Sequence, residues 1–336
     1  VALVRGGNLG YPAQRHYPDT RQVAMSRVRH SSGLEIPIAD SSQLELGLER
    51  RRENDRNLHL GGRSFYFFDF DDNVAFLATP LLLFHKETKA ELQISSGDFA
   101  KEHHNFGKAG PFKDYEINWD DQVGTFRCFR DHHNDELERL GLKTQIFLHD
   151  LAEALGVPDF QWKGPSWSCF YHATFNSRPV SVITARGHHP QTIAEGIDLF
   201  VHSRHLPKAP NYLSIYPVSH RPTRQLLGDS DFTATTAELK QRAIRASVEQ
   251  ALKQYGHSPH HRFGMSDDDP KNIQLIIEEM TRLKTTYPEM SFFMIETQNG
   301  EFVKHEITLS GVRDERLSAE VASQISLFDR LGPKRS

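Results

Sequence analysis

Phe65 to Pro80 reads FYFFDFDDNVAFLATP, and it restricts the fold more than any other stretch of the chain. Phe65-Tyr66-Phe67-Phe68 is aromatic and strand-forming, and its lack of alternation is the pattern of a strand buried on both faces. Three carboxylates, Asp69, Asp71 and Asp72, then fall within four residues before the chain returns to Val74-Ala75-Phe76-Leu77. Acids crowded against a buried strand end repel one another unless a positive charge sits among them. A divalent cation is the simplest candidate.

From Arg63 onward, apolar strand patterns alternate with helical ones. Strands are expected at Ser64 to Phe68, Val180 to Ile183, Tyr212 to Val218, His261 to Met265 and Ser291 to Glu296, and helices near Thr192 to Val201, Thr235 to Tyr255 and Asn272 to Tyr287. This alternation implies an α/β fold, a parallel sheet with helices on both faces. SFFMIET, QNG and EFVKHEI read as a hairpin turned at Asn299-Gly300. About a hundred residues separate the first two strands, far more than a βαβ crossover needs, so an insertion must fold there. It carries Trp119, Trp162 and Trp167 with many Phe and Tyr, and these read as its core. Residues 1–62 mix Pro, Gly, Arg and His with little periodicity, the pattern of a docked or mobile arm; one helix is expected over Leu44 to Arg56, capped by Ser42 and Glu45. Gly6-Gly7-Asn8-Leu9-Gly10 lacks the spacing of a dinucleotide site.

With 336 residues, 38% hydrophobic and 25% charged, the chain can bury a full core. A net charge of -4 gives no global attraction to nucleic acid or an acidic membrane. Lys101, Lys108, Lys113, Arg127 and Arg130 of the insertion are interleaved with acids, which speaks against gripping a strand. Cys128 and Cys169 have neither a CxxC nor a zinc-ligand spacing, as expected in a reducing compartment, and a cytoplasmic location is the corresponding expectation. Val74 to Phe84, the longest apolar stretch, is too short to span a bilayer, and the first residues lack the pattern of a signal peptide.

Ligands of open parallel sheets bind beyond the carboxyl ends of the strands. The first strand is followed by Asp69-Phe70-Asp71, the second by Thr184-Ala185-Arg186, and the strand ending at Met265 by Ser266-Asp267-Asp268-Asp269; the helix ahead of that strand carries Lys240. These groups should converge as acids, a hydroxyl and a cation. Asp229-Ser230-Asp231 and Asp120-Asp121 follow no long apolar strand and read as solvated turns. The pairs His103-His104, His132-His133, His188-His189 and His260-His261 read as surface or capping residues, since adjacent side chains rarely chelate one ion.

In order along the chain, this set resembles the haloacid dehalogenase superfamily of hydrolases. The acid-x-acid motif matches Asp69 and Asp71, the strand-end hydroxyl Thr184, the lysine Lys240 with Lys253 and Arg242 as rivals, and the acidic pair Asp267 and Asp268, with Asp269 adjacent. Where the family usually has Thr or Val, this chain has Asn73, and Asp72 is an extra acid. The resemblance implies a Rossmann-like core over 63–90 and 175–310, an inserted cap over 91–174 that closes over substrate, and a C-terminal tail over 311–336. It implies a Mg²⁺-dependent phosphatase acting on a small phosphate monoester through an aspartyl-phosphate. In that scheme Asp69 is the nucleophile and Asp71 the general acid and base, while Thr184 and Lys240 orient the phosphoryl oxygens. Mg²⁺ is bound by the Asp69 carboxylate, the Asp71 carbonyl, Asp267 and Asp268, and Asn73 and Arg186 are expected to face substrate. The alternative is a scaffold that binds Mg²⁺ and phosphate without turnover. A two-component receiver domain combines similar residues, but in another order and a shorter chain.

Overall fold

The computed structural model describes residues 52–297 and 302–317. The chain enters strand β1 (Ser64–Phe68), then β2 (Leu81–His85), β3 (Glu91–Ile94), helix α1 (Ser96–Glu102) and β4 (Tyr115–Glu116). Helices α2 (Asn134–Arg139), α3 (Ile146–Ala154), α4 (Asp159–Trp162) and α5 (Trp167–Phe175) follow. An alternating run comes next: β5 (Pro179–Thr184), α6 (Pro190–His202), β6 (Asn211–Pro217), α7 (Arg221–Leu226), α8 (Thr236–Tyr255), β7 (Arg262–Asp267), α9 (Pro270–Thr286) and β8 (Ser291–Glu296). β9 (Phe302–Thr308) and β10 (Gly311–Leu317) complete the described elements.

Seven strands form one sheet in the order β10-β9-β8-β7-β1-β5-β6. From β8 to β6 every pairing is parallel, while β9 and β10 add antiparallel strands at one side. β1 lies between β7 and β5, and all five of its residues are buried. Phe65 and Phe67 face a cluster with Leu239, Ile244 and Val248 of α8 and Ile276 and Met280 of α9. Tyr66 and Phe68 face the opposite cluster, with Phe147 and Leu151 of α3, Phe170 of α5 and Ile193, Ile197 and Phe200 of α6. The aromatic run without alternation is thus a strand with helices on both faces, as its pattern requires.

Local signals set the helices. Thr235 accepts a hydrogen bond from the Glu238 amide at 3.3 Å, and the Glu238 carboxylate accepts one from the Thr235 amide at 2.7 Å, closing a capping box on α8. α6 opens with Pro190 while the His189 ring accepts from the Gln191 amide at 3.1 Å.

The insertion divides differently from the expected 91–174. β2, which the resemblance places in the core, instead forms a separate antiparallel sheet in the order β3-β2-β4, with its own cluster of Leu81, Leu83, Ile94 and Phe106. α3 and α5 pack into the main core, and the described residues fall in a single compact unit. The expected tail begins with β10, a charged edge strand whose residues from Gly311 to Asp314 are exposed. Residues 52–56 are not helical; the rest of the helix expected over 44–56, its Ser42 cap and the Asn299-Gly300 turn lie outside the described residues. Glu53 and Asp55 dock this end on the core: Asp55 accepts from the Ser64 amide at 2.7 Å and lies 3.3 Å from Arg178. No helix among the described residues is long and apolar enough to cross a membrane.

Candidate functional site

Parallel register brings the ends of three strands level. Phe68 pairs with Ser266 on one side and Val182 on the other, and the Asp69 amide donates to the Ser266 carbonyl at 3.1 Å. Phe70 turns inward between Phe147 and Phe200, so Asp69 and Asp71 flank a buried anchor. Asp72 has φ +57°, a left-handed conformation that Asp tolerates better than most residues. The chain reverses there, closed by a hydrogen bond from the Asp72 amide to the Ala75 carbonyl at 3.0 Å.

Asp69, Asp267 and Asp268 each offer a carboxylate oxygen, and these atoms lie within 4.8 Å of one another. Lys240 reaches the group from α8, with its Nζ 2.7 Å from Asp267 Oδ2 and 3.2 Å from Asp69 Oδ1. Lys240 is 1% exposed, whereas its rivals lie elsewhere: Arg242 is half-buried and donates to the Leu227 carbonyl, and Lys253 is exposed. Asp267 is fully buried, Asp268 half-buried and Asp269 exposed. Asp267 also accepts from the Asp269 amide at 3.0 Å and the Asn272 side chain at 3.3 Å, so it organises the turn into α9 as well.

The group carries more negative charge than Lys240 balances. Burial raises the Asp69 carboxyl well above its ordinary range; Lys240 opposes this, and Asp267, Asp268 and Asp71 add to it. Asp268 is pushed up to about 7 by burial and by Asp267, and Asp72 to about 6 by burial and by Asp71. Burial alone would lower the Lys240 ammonium, but Asp267 and Asp69 outweigh it and hold it above its ordinary value. Asp69 Oδ1 is buried, and the Lys240 ammonium 3.2 Å away is the one positive charge beside it among the described residues. An all-oxygen group of three carboxylates whose charge one lysine does not balance fits a hard divalent cation such as Mg²⁺.

Asp71 belongs to a second network. Arg186 donates to both of its oxygens, at 2.7 and 3.0 Å, and Thr184 Oγ1 donates at 3.1 Å. The Arg186 guanidinium is fully buried between the rings of Phe129 and Phe147, at 4.8 and 4.6 Å. It also donates to Thr79, which donates to Asp150 at 2.5 Å. Two sequence expectations change here. Arg186 and Asn73 have no exposed surface, so neither side chain is presented to a substrate; Arg186 holds Asp71, and Asn73 ties the loop to its neighbours. The Asp71 carboxylate stands apart from the group formed by Asp69, Asp267 and Asp268.

Thr79, Asp150, Phe129, Phe147, Ser266 and Thr297 were not singled out by the sequence. Each looks ordinary locally, and its role appears only through contacts with residues far away in the chain. The histidine expectation is also corrected in part: His189 caps α6, but His132, His188 and His261 are buried. His188 has no hydrogen-bond partner on either ring nitrogen. Asp120 does read as an exposed turn, accepting from the Gln122 and Val123 amides. Asp229 instead is buried against Arg224. The chain has no match among protein-family models, curated proteins or solved structures.

Proposed function

We propose that this chain is a Mg²⁺-dependent phosphohydrolase of the haloacid dehalogenase type, acting on a small phosphate monoester. The observation that carries the reading is the meeting of Asp69, Lys240, Asp267 and Asp268 at one sheet rim, from segments nearly two hundred residues apart. Asp69, Asp267 and Asp268 would hold the cation, which when bound supplies charge to neutralise the phosphoryl oxygens and keep Asp69 ionised.

Asp69 attacks phosphorus as the bond to the leaving oxygen breaks, giving an aspartyl-phosphate and an alkoxide that takes a proton from Asp71. Water then attacks the intermediate, Asp71 accepts its proton, and phosphate leaves with Asp69 restored. Proton transfer of this kind contributes roughly 10² to 10⁴ in rate. Lys240 places positive charge where the phosphoryl oxygens gain negative charge, and Thr184 and Arg186 fix the orientation of Asp71.

A scaffold that binds Mg²⁺ and phosphate without turnover is the second reading, favoured by one observation: Arg186 and Thr184 engage both oxygens of Asp71. A panel of phosphorylated metabolites assayed with and without Mg²⁺ separates the two. Hydrolysis that needs Mg²⁺ and is lost in a folded Asp69→Asn variant is expected. Near wild-type turnover in that variant would refute the nucleophile. Stabilisation by Mg²⁺ and beryllium fluoride without hydrolysis of any ester would favour the scaffold.

A further inference from the structure

Asn73 has no exposed surface, and its side chain is bonded by four separate segments. Nδ2 lies 3.2 Å from the Asp69 carbonyl, 3.0 Å from the Ser266 carbonyl and 2.9 Å from Ser266 Oγ. Oδ1 accepts from Ser166 Oγ, at the start of α5, at 2.8 Å and from Thr297 Oγ1, just past β8, at 2.9 Å. Its backbone is held as well: the Asn73 carbonyl accepts from the Ser166 amide at 2.8 Å, and a Cβ at Gly164 would fall 2.3 Å from that carbonyl oxygen.

The two ends of this amide do different work. Asp69 and Ser266 are the residues at which β1 and β7 part, each at or next to an acid of the cluster. The amide nitrogen joins their carbonyls where the ladder hydrogen bonds run out. The amide oxygen joins Ser166 at the start of α5, which carries none of those acids, and Thr297, whose hydroxyl also donates to the Asp267 carbonyl at 3.3 Å. An amide has two protons and two good acceptor positions, so this one is fully engaged.

We propose that Asn73 is a positioning residue: by bridging the Asp69 and Ser266 carbonyls it sets the spacing of Asp69 from Asp267 and Asp268, and so the affinity of these acids for a divalent cation. The inference rests on the function proposed above. Removal of the nitrogen leaves the two acid-bearing strand ends with the Asp69 amide to Ser266 carbonyl bond but without the side-chain bridge, and groups that orient metal ligands typically change affinity by about 10- to 100-fold.

The test is calorimetric titration of the full chain with Mg²⁺ alone, beside thermal unfolding. Asn73→Leu, of similar size but without hydrogen bonds, is expected to weaken Mg²⁺ binding by about 10- to 100-fold. Asn73→Thr, which keeps one donor, should fall between that variant and wild type, and it carries the test if Asn73→Leu does not fold. Ser166→Ala cuts a bond on the oxygen side and is expected to lower the unfolding temperature while Mg²⁺ affinity stays near wild type. Wild-type affinity in the Asn73 variants, or an affinity loss that simply follows stability through Ser166→Ala, overturns the positioning role. Absence of Mg²⁺ binding by the wild type would instead overturn the proposed function, and this inference with it.

Discussion

Arg186 and Lys240 are long cations with almost no exposed surface, and each is buried against acids rather than left alone. Unpaired burial of such charges would be very costly, so the acids near them are part of what permits their position. His188 shows the other outcome. Burial first, then the charges of Arg186, His132, Arg130 and His220, hold its imidazole well below the ordinary value. The folded state therefore resists a proton that the unfolded chain accepts as pH falls through about 6.5. This group favours the native state fully above that pH, and its contribution declines below it by up to about 1.4 kcal/mol per pH unit. Urea unfolding at pH 7 and pH 5 should show a smaller acid-side loss in His188→Leu than in wild type. An unchanged loss would mean that the imidazole titrates freely in the native state.

Elements that carry unbroken apolar runs could be read from the sequence. β1 and β5 are buried along their whole length, and hydrophobic pattern alone located them. β3 and β4 are short and mixed, and β10 is charged, so they lack the period on which such reading depends, while the apolar run of β2 carries no sign that it joins a second sheet. The contact of α6 with α3 was also hidden, because it depends on the absence of a side chain. A Cβ on Gly196 would lie 2.4 Å from Phe147 Cε1 and 2.7 Å from Leu151 Cδ1. Alanine improves helix propensity by about 1 kcal/mol. Overpacking typically costs 1–3 kcal/mol, and Phe147 also covers Arg186, which limits its retreat. Gly196→Ala is expected to lose up to about 2 kcal/mol in denaturant unfolding, the difference of these two effects. A gain in stability would show that the two helices can separate without penalty.

At the level of the whole molecule, the sheet order explains why chain-distant acids were legible as one group. The first strand stands at the centre, with the strands that lead to Thr184 and Asp267 on either side. Motif order along the chain could suggest that meeting; it could not suggest what lies beneath. Asp71 is held by Arg186, Arg186 by Thr79, and Thr79 by Asp150 of α3, a relay across three distant segments with no local sequence signal. The helical part of the insertion is therefore fixed to the core at the site itself. The central claim is that Asp69 accepts a phosphoryl group beside a cation held by Asp267 and Asp268. A crystal structure of the full chain grown with Mg²⁺ and beryllium fluoride tests it most directly. Beryllofluoride bonded to a carboxylate oxygen of Asp69 is expected, with a cation ligated by Asp69 and the acidic pair. Saturating amounts of both reagents with neither bound, and Lys240 still spanning Asp69 and Asp267, would contradict it.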